Sequence, residues 1–305
     1  MGTVYVGEHT LIGRRAAIKV LDPELSRQRE VVDRFFNEAR AAAAVKHPGV
    51  VQIFDFGFTD DGSAYLVMEL LEGRSLAAVL RETGALPVRD ALHVIRQVAW
   101  STAAVHAVDV IHRDLKPDNI HLVRDPDAMG GLRVKILDFG VAKLGDAFQP
   151  SLTVSGRIYG TPLYMAPEQF VGKVDVRSDV YAAGCMLFEA LVGKPPFQGA
   201  TLIELGLAHT NAPPPAPSSV CSAIAPDVDA IVLRCLAKDP AQRFSSMIEL
   251  AQAIEGQLGG QIEDHLDLPA ERVAKAVGPA HEAPGEPAVE ASAPPPGELP
   301  AGSPP

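Results

Sequence analysis

The sequence predicts an α+β fold of two lobes, a small β-rich lobe at about residues 1–72 and a larger, mainly helical lobe at about 73–258. Up to about residue 70, short β-rich runs surround one helical segment, and past Gly73 the apolar spacing becomes helical. At 305 residues with 47% hydrophobic content, the chain is long enough to bury a substantial core. We therefore expect a cleft between the lobes, which is a common place for a ligand site.

The small lobe is predicted to contain four strands and one helix. The strands are runs rich in β-branched and aromatic residues, bounded by polar or glycine-containing turns. In the helix, Phe35, Ala39 and Ala42 recur at helical spacing, and the pattern ends at His47-Pro48-Gly49. The predicted strands are 3–7, 16–21, 50–58 and 64–70, and the predicted helix is 31–45.

The larger lobe is predicted to contain helices at 76–83, 88–107, 178–192, 201–209 and 227–236. The most apolar stretch, 180–193, is shorter than the roughly 20 residues that a membrane-spanning helix needs, so we interpret it as a buried core helix. No membrane segment is therefore expected. A loop-rich segment, 111–177, lies between the second and third of these helices and holds most of the chemically distinctive residues.

Residues 259–305 are predicted to form a disordered, acidic tail rich in Pro and Ala. Nine of residues 278–305 are Pro, and such a composition buries too little apolar surface to offset the entropy of ordering. From residue 261 onward there are eight acidic and two basic residues. Their net charge of −6 is more than half of the formal net charge of −11 of the whole chain. The body of the chain is only mildly acidic, so we expect no nucleic-acid partner.

The cysteine pattern favours a cytoplasmic protein. Cys185, Cys221 and Cys235 are odd in number and far apart, so the sequence offers neither a disulfide framework nor metal-ligand spacing. A reducing compartment is the natural location for such a chain. The first residues also lack a basic segment followed by an apolar run, so no signal peptide is predicted.

The middle segment contains an ordered set of motifs. HRDLKPDN occupies 112–119, DFG follows a strand-like run at 138–140, GTPLYMAPE occupies 160–168 and DPAQRF occupies 239–244. Upstream, Lys19 stands on a predicted strand and Glu38 on the helix that follows. Together these motifs resemble the eukaryotic-type (Hanks-type) serine/threonine protein kinases, in their bacterial branch, over about residues 2–258. The resemblance implies a bilobal kinase fold and transfer of the γ-phosphoryl group of ATP to a protein hydroxyl.

The resemblance assigns catalytic roles to the middle segment. Asp114 would accept the proton of the substrate hydroxyl, and Lys116 would reach the γ-phosphate. Asn119 and Asp138 would hold Mg²⁺ or Mn²⁺, hard cations that favour oxygen ligands and phosphates. A lysine two residues after the catalytic Asp is typical of serine/threonine rather than tyrosine kinases.

The resemblance also implies a nucleotide site in the small lobe. Lys19 would contact the α- and β-phosphates of ATP and would be oriented by an ion pair with Glu38, although a pair of this kind can equally be a weak surface contact. Met68 would be the gatekeeper, and residues 69–71 the hinge that bonds adenine through its backbone. The implied nucleotide-binding residues are Gly2, Val4, Ala17, Lys19, Met68, Glu69 and Leu71.

Other matched positions are architectural or regulatory. Glu168 is expected to pair with Arg243, and Asp179 to bond the backbone of the catalytic loop. Residues 141–161 would be the activation loop, with Thr153 and Ser155 as candidate phosphorylation sites. Arg113 would receive that phosphate through charge-assisted hydrogen bonds, and Thr161 would support the catalytic residues. Self-association for autophosphorylation is a further expectation.

The sequence departs from the family at its start. The family's glycine-rich loop reads G-x-G-x-x-G-x-V, and this chain matches only its last glycine and valine, at Gly2 and Val4. The first strand of the family fold is therefore expected to be missing, leaving residues 3–7 as an unpaired edge. Either Met1 is an internal methionine of a longer reading frame, or the chain is a true short form.

Two alternatives to an active kinase follow from this departure and from the fold. A weak or inactive kinase-fold binding module would account for the incomplete loop. A small-molecule phosphotransferase of related fold is disfavoured, because the intact segment 160–168 is typical of a platform for a protein substrate.

Overall fold

The computed structural model describes residues 2–138 and 162–259, and within them the chain forms a sheet-based lobe followed by a helical one. The strands are β1 (Thr3–Glu8), β2 (Arg15–Val20), β3 (Ile53–Phe58), β4 (Ala64–Glu69), β5 (Gly73–Ser75), β6 (Ile120–Arg124) and β7 (Leu132–Ile136). The helices are α1 (Pro23–Ser26), α2 (Arg29–Ala44), α3 (Leu76–Thr83), α4 (Val88–His106), α5 (Val176–Val192), α6 (Leu202–Asn211), α7 (Pro226–Cys235) and α8 (Met247–Leu258). The α+β class is as predicted.

The small lobe is built on a four-stranded antiparallel sheet in the order β1-β2-β4-β3. Strand β1 lies at one edge, and its Val4, Tyr5 and Val6 are exposed. Gly2 precedes this edge, where a Cβ atom would lie only 2.1 Å from the carbonyl oxygen of Val20. The edge therefore begins with a backbone contact that only glycine allows.

Helix α2 covers the small sheet with one apolar face. Its Val32, Phe35, Phe36 and Ala39 are buried together with Leu66 of β4. These four helical positions follow i, i+3, i+4 and i+7 spacing, which places them on one side of the helix. This packing fixes the helix that carries Glu38 against the strand layer.

The large lobe has its core between α4 and α5. Helix α5 is buried on almost every side, as its continuous apolar sequence predicts. At Gly184 of this helix, a Cβ atom would lie 2.3 Å from the Cβ of Cys235 in α7, so the glycine sets how closely the two helices approach. Among the described residues, no helix is long and apolar enough to cross a membrane.

Helix α8 was absent from the prediction, although its start carries a recognisable signal. Ser246 is the N-cap, its hydroxyl accepts a hydrogen bond from the Glu249 N–H at 3.2 Å, and the motif Ser-x-x-Glu is that of a capping box. Helix α8 packs against α4, and Glu255 accepts from the Trp100 indole at 3.0 Å. The last described helix is thus an integral part of the large lobe.

Strand β7 connects the two lobes. It belongs to the second sheet, β5-β6-β7, whose inner face rests on the large-lobe core. The Ile136 N–H donates to the Gly49 carbonyl at 2.8 Å, and the Val51 N–H donates to the Ile136 carbonyl at 3.1 Å. The segment between α2 and β3 is therefore paired with a strand of the other lobe.

Acid should destabilise the large lobe through His209. Its side chain is fully buried and hydrogen bonded to the Tyr181 hydroxyl at 2.9 Å, and burial, with the nearby Lys238 charge, lowers the pKa of His209 to about 4. Because the folded pKa lies below the unfolded value of 6.5, stability should be lost as the pH falls from about 6.5 toward 4, by at most about 3 kcal/mol.

Denaturant unfolding of the wild-type protein and of His209→Gln, at about pH 7 and pH 5, measures this loss. Glutamine keeps a hydrogen-bonding group for Tyr181 but does not titrate. The variant should lose less stability than the wild type between the two pH values. Equal losses in the two proteins would contradict the assignment to His209.

Candidate active site

The catalytic loop between α4 and β6 brings three predicted residues together. Lys116 Nζ lies 2.9 Å from Asp114 Oδ2, and the Asn119 amide nitrogen donates to the Asp114 carbonyl oxygen at 2.9 Å. The one-turn helix Pro117–Asn119 follows the lysine directly, and the Asn119 amide nitrogen also lies 3.4 Å from Asp114 Oδ2. The arrangement leaves a carboxylate flanked by donors, with about a quarter of its side chain exposed.

Asp179, buried in the first turn of α5, holds the backbone of this loop. Its two carboxylate oxygens accept from the N–H groups of His112 and Arg113, each at 2.8 Å, and His106 Nε2 lies 2.8 Å from Oδ2. The predicted contact of Asp179 with the catalytic loop is thus present. Arg113 has φ of 65°, a strained value for a non-glycine residue, and Gln169 donates to its carbonyl oxygen at 3.1 Å. Bonds on both sides of the residue stabilise this conformation.

His112 connects the backbone at Asp114 to the backbone just before Asp138. Its ring is fully buried, Nε2 lies 3.2 Å from the Leu137 carbonyl oxygen, and Nδ1 accepts from the Asp114 N–H at 3.4 Å. These partners indicate the neutral tautomer with the proton on Nε2. Burial lowers the pKa of His112, against the opposing effect of Asp179 and Asp114, so the ring stays neutral. One uncharged side chain thereby joins the Asp114 loop to the residue preceding Asp138.

Lys19 contacts Asp138 in this structure. Its Nζ atom lies 2.6 Å from Asp138 Oδ1, and Asp138 has a left-handed backbone conformation with φ of 47°. Glu38 lies on α2, half-buried, and the carboxylate paired with Lys19 is that of Asp138 rather than that of Glu38. A lysine ammonium is a compact charge on a flexible stem, so it can exchange between neighbouring carboxylates. The Lys19–Glu38 ion pair therefore stays a prediction for another state of the site.

The residues predicted to hold a divalent cation have the right donor atoms. The Asn119 amide nitrogen is used by the Asp114 carbonyl, so its side-chain oxygen is the atom that remains for a cation. The Asp138 carboxylate already attracts one cationic group, the Lys19 ammonium. An amide oxygen and a carboxylate oxygen are ligands that Mg²⁺ and Mn²⁺ accept. The donor set therefore fits a hard divalent cation.

The predicted nucleotide-binding residues lie along β1, β2 and β4. Ala17 is buried and stands opposite Met68 across the β2–β4 ladder, and Val4 stands opposite Lys19 across the β1–β2 ladder. Leu71 follows β4, where the chain crosses from one lobe to the other. Val4, Lys19, Ala17 and Met68 therefore share one face of the small sheet.

The segment at the end of β4 contains a contact that the sequence did not reveal. Glu69 Oε1 accepts from Lys135 Nζ at 2.6 Å and from the Gln52 N–H at 2.8 Å. Lys135 lies on β7, so this ion pair joins the hinge to the other lobe. A cavity of about 440 Å³ lies beside this ion pair and is lined by the hinge and by the β6–β7 hairpin. Its lining does not include the candidate catalytic residues Lys19, Asp114, Asn119 and Asp138.

Glu168 and Arg243 form a buried ion pair beneath the predicted substrate platform. Both guanidinium nitrogens Nη1 and Nη2 lie 2.8 Å from a Glu168 oxygen, and the Arg243 side chain is fully buried. The predicted contact is thus present, in the bidentate form that suits Arg and carboxylate.

Several predictions lie outside the described residues: Thr153, Ser155 and Thr161, the last two residues of DFG, and the tail beyond residue 259.

Known proteins match both the sequence and the fold. The family model "Protein kinase domain" matches residues 1–255. Serine/threonine-protein kinase Pkn1 of Myxococcus xanthus is 43% identical over 263 residues, which is 86% of this chain and 37% of that protein. PknA of Mycobacterium tuberculosis is 37% identical over 266 residues, 86% of this chain and 59% of that protein. The crystal structure of the M. tuberculosis PknI kinase domain has a TM-score of 0.65 and 29% identity, covering 85% of this chain and 91% of that one.

The two lobes and the acids and lysines at their junction define a protein kinase domain. The chain belongs to the protein kinase family, in the group of bacterial Hanks-type serine/threonine kinases. It spans about two fifths of the length of the first curated relatives that it matches. Protein kinases in general use ATP and a divalent metal ion.

Proposed function

We propose that this chain is a serine/threonine protein kinase that transfers the γ-phosphoryl group of ATP, with Mg²⁺ or Mn²⁺, to hydroxyl groups of protein substrates. The observation that carries this proposal is the grouping of Asp114, Lys116 and Asn119 on one short loop, with Leu137, the residue before Asp138, joined to that loop through His112. The family relationship supports it. Cytoplasmic location belongs to the same proposal, supported by the three free cysteines.

Each side chain has a role in this reaction. Asp114 orients the substrate hydroxyl and accepts its proton as the oxygen attacks phosphorus, and Lys116 beside it neutralises charge on the transferred group. Lys19 binds the phosphates of the nucleotide and Glu38 orients it. Asn119 and Asp138 hold the divalent cation, which when bound neutralises phosphate charge. The chemistry is mostly positioning, which the hydrogen-bonded loop provides.

Autophosphorylation of Thr153 or Ser155 between two copies of the chain is the proposed regulation, with Arg113 receiving the phosphate. The backbone of Arg113 is hydrogen bonded to Asp179 and Gln169, so the position from which its side chain extends is fixed. A phosphate opposite this group would gain charge-assisted hydrogen bonds.

Incorporation of labelled γ-phosphate into a general protein substrate, with phosphoamino-acid analysis, tests the function. The wild-type chain in Mg·ATP should label Ser or Thr, and Asp138→Ala should label neither, because a metal-binding oxygen and the partner of Lys19 are lost together. Equal labelling by the two proteins would overturn the proposal. Binding of Mg·ATP without any labelling would instead indicate a kinase-fold binding module.

A further inference from the structure

The ion pair between Lys135 and Glu69 is a contact that the functions assigned above do not use. Only 13% of the Lys135 side chain and 21% of the Glu69 side chain are exposed. Water and salt therefore screen their 2.6 Å contact less than they screen a pair on the open surface. The pair joins the last residue of β4 to a strand of the other lobe.

Glu69 is bonded to its surroundings through both its main chain and its side chain. Its N–H donates to the Gln52 carbonyl oxygen at 2.9 Å, and its Oε1 accepts from the Gln52 N–H as well as from Lys135. Val51, the residue before Gln52, donates in turn to the Ile136 carbonyl oxygen of β7. The hinge at residues 69–71 is thus connected to β7 directly through Lys135 and indirectly through Gln52.

Strand β7 leads from this ion pair to the candidate metal-binding residues. Lys135 stands three residues before Asp138. Between them, the Leu137 N–H donates to the Asn119 carbonyl oxygen at 2.9 Å. A nucleotide that binds the hinge with its purine and the cation with its phosphates needs both ends at a fixed distance, and small misplacements are costly. The ion pair lies on the connection that sets this distance.

The cavity beside the hinge leaves room for movement. Glu69 and Lys135 both line this space of about 440 Å³. Elsewhere in a protein interior, close packing limits the displacement of a segment. On the cavity side, the hinge can shift once the attraction between the two side chains is removed.

We propose that Lys135 is a positioning residue for nucleotide binding, which through its ion pair with Glu69 sets the distance between the hinge and Asp138. This inference rests on the proposed function. Lys135 acts through Glu69 and does not have to touch the nucleotide. Loss of its charge should weaken nucleotide binding and raise the KM for ATP, while kcat at saturating ATP falls by a smaller factor.

The test is a titration with a fluorescent ADP analogue and Mg²⁺, using the wild-type chain, Lys135→Met, Lys135→Arg and the control Lys194→Met. Methionine keeps an unbranched side chain without the ammonium, and Lys194 is exposed just after α5. Lys135→Met should bind about 2- to 30-fold more weakly, the range for residues that act on a site without touching its ligand. Lys135→Arg keeps the charge and should bind nearly as well as the wild type. Lys194→Met should be unchanged.

A double-mutant cycle tests whether Lys135 acts through Glu69. Glutamine at position 69 keeps an acceptor for the Gln52 N–H but loses the charge that attracts Lys135. Glu69→Gln should weaken binding, and the double variant with Lys135→Met should bind no more weakly than Lys135→Met alone. Melting temperatures are measured for every variant. If Lys135→Met does not fold, Glu69→Gln carries the prediction of weaker binding.

Several results would overturn this inference alone: wild-type affinity in Lys135→Met, additive losses in the double variant, or a transfer rate above that of the wild type. So would affinity losses that follow the fall in melting temperature in every variant, Lys135→Arg included, because they assign a purely structural role. Failure of the wild-type protein to bind nucleotide would overturn the proposed function as well.

Discussion

Replacing Asp114 by asparagine should lower the rate of phosphoryl transfer by about 10²- to 10⁴-fold, the range for losing a positioned general base. Asparagine has nearly the same shape, so the contacts of this position with Lys116 and Asn119 can remain in part. What disappears is the negative charge that accepts the substrate proton and balances the lysine ammonium. Nucleotide affinity should change little, because the family resemblance assigns nucleotide binding to other residues. The loss should therefore appear in kcat.

Asp118→Asn is the matched control for this experiment. Asp118 lies in the same loop but is exposed, so the identical chemical change there should leave kcat within about twofold of the wild type. Steady-state kinetics with saturating Mg·ATP and a protein substrate compares the three proteins. Comparable rate losses in the two variants would show that the loop, rather than the Asp114 carboxylate, is responsible.

Replacing Arg243 by methionine should lower the free energy of unfolding by about 3–5 kcal/mol, the cost of removing one partner from a buried ion pair. The guanidinium donates to both Glu168 oxygens and to three carbonyl oxygens, those of Arg177, Ala237 and Lys238. It also lies 4.8 Å from the centre of the Tyr181 ring. Methionine would leave a nearly buried carboxylate and three acceptors without this donor.

Urea unfolding of Arg243→Met, Glu168→Gln and the double variant measures this cost as a double-mutant cycle. The two changes should be strongly non-additive, since most of the penalty comes from the carboxylate left behind. Arg177→Met is the control: its pair with Asp175 is partly exposed, and its loss should cost no more than about 1 kcal/mol. Additive effects of the first two variants would contradict the proposed coupling.

The sequence predicted the elements whose signal is local. Helix α3 has the predicted bounds, and α4 and α5 differ from theirs by at most two residues, because apolar periodicity defines all three and a glycine ends α3 and α5. The short strand β5 and the short helix α1 were missed, since three or four residues carry no periodic pattern. Helix α8 was also missed, although its capping motif can be recognised in the sequence.

The candidate site was predictable where residue type and spacing carry the chemistry, as at Asp114, Lys116 and Asn119. Contacts that depend on how the lobes meet were not predictable from the chain. Lys19 pairs with Asp138 rather than with Glu38. Lys19 and Asp138 are 119 positions apart in the sequence, so their contact depends on the folded conformation of the site. The Glu69–Lys135 pair joins strands of two different sheets, so it depends on how the two lobes pack against each other.

The pairing of β7 with the segment at Gly49 and Val51 has a consequence for recombination between related kinases. A chimera joined at about residue 72 would take Gly49 and Val51 from one parent and Ile136 from the other. The hydrogen bonds across this seam, the contact between residues 47–51 and β7, are main-chain bonds and therefore tolerate many side chains. Val50 and Ile136 are both buried there, so the volumes of the side chains around them must still match. Exchanges that carry 47–51 and 132–136 together keep the seam from one parent, so they should yield folded hybrids more often than exchanges at the lobe boundary.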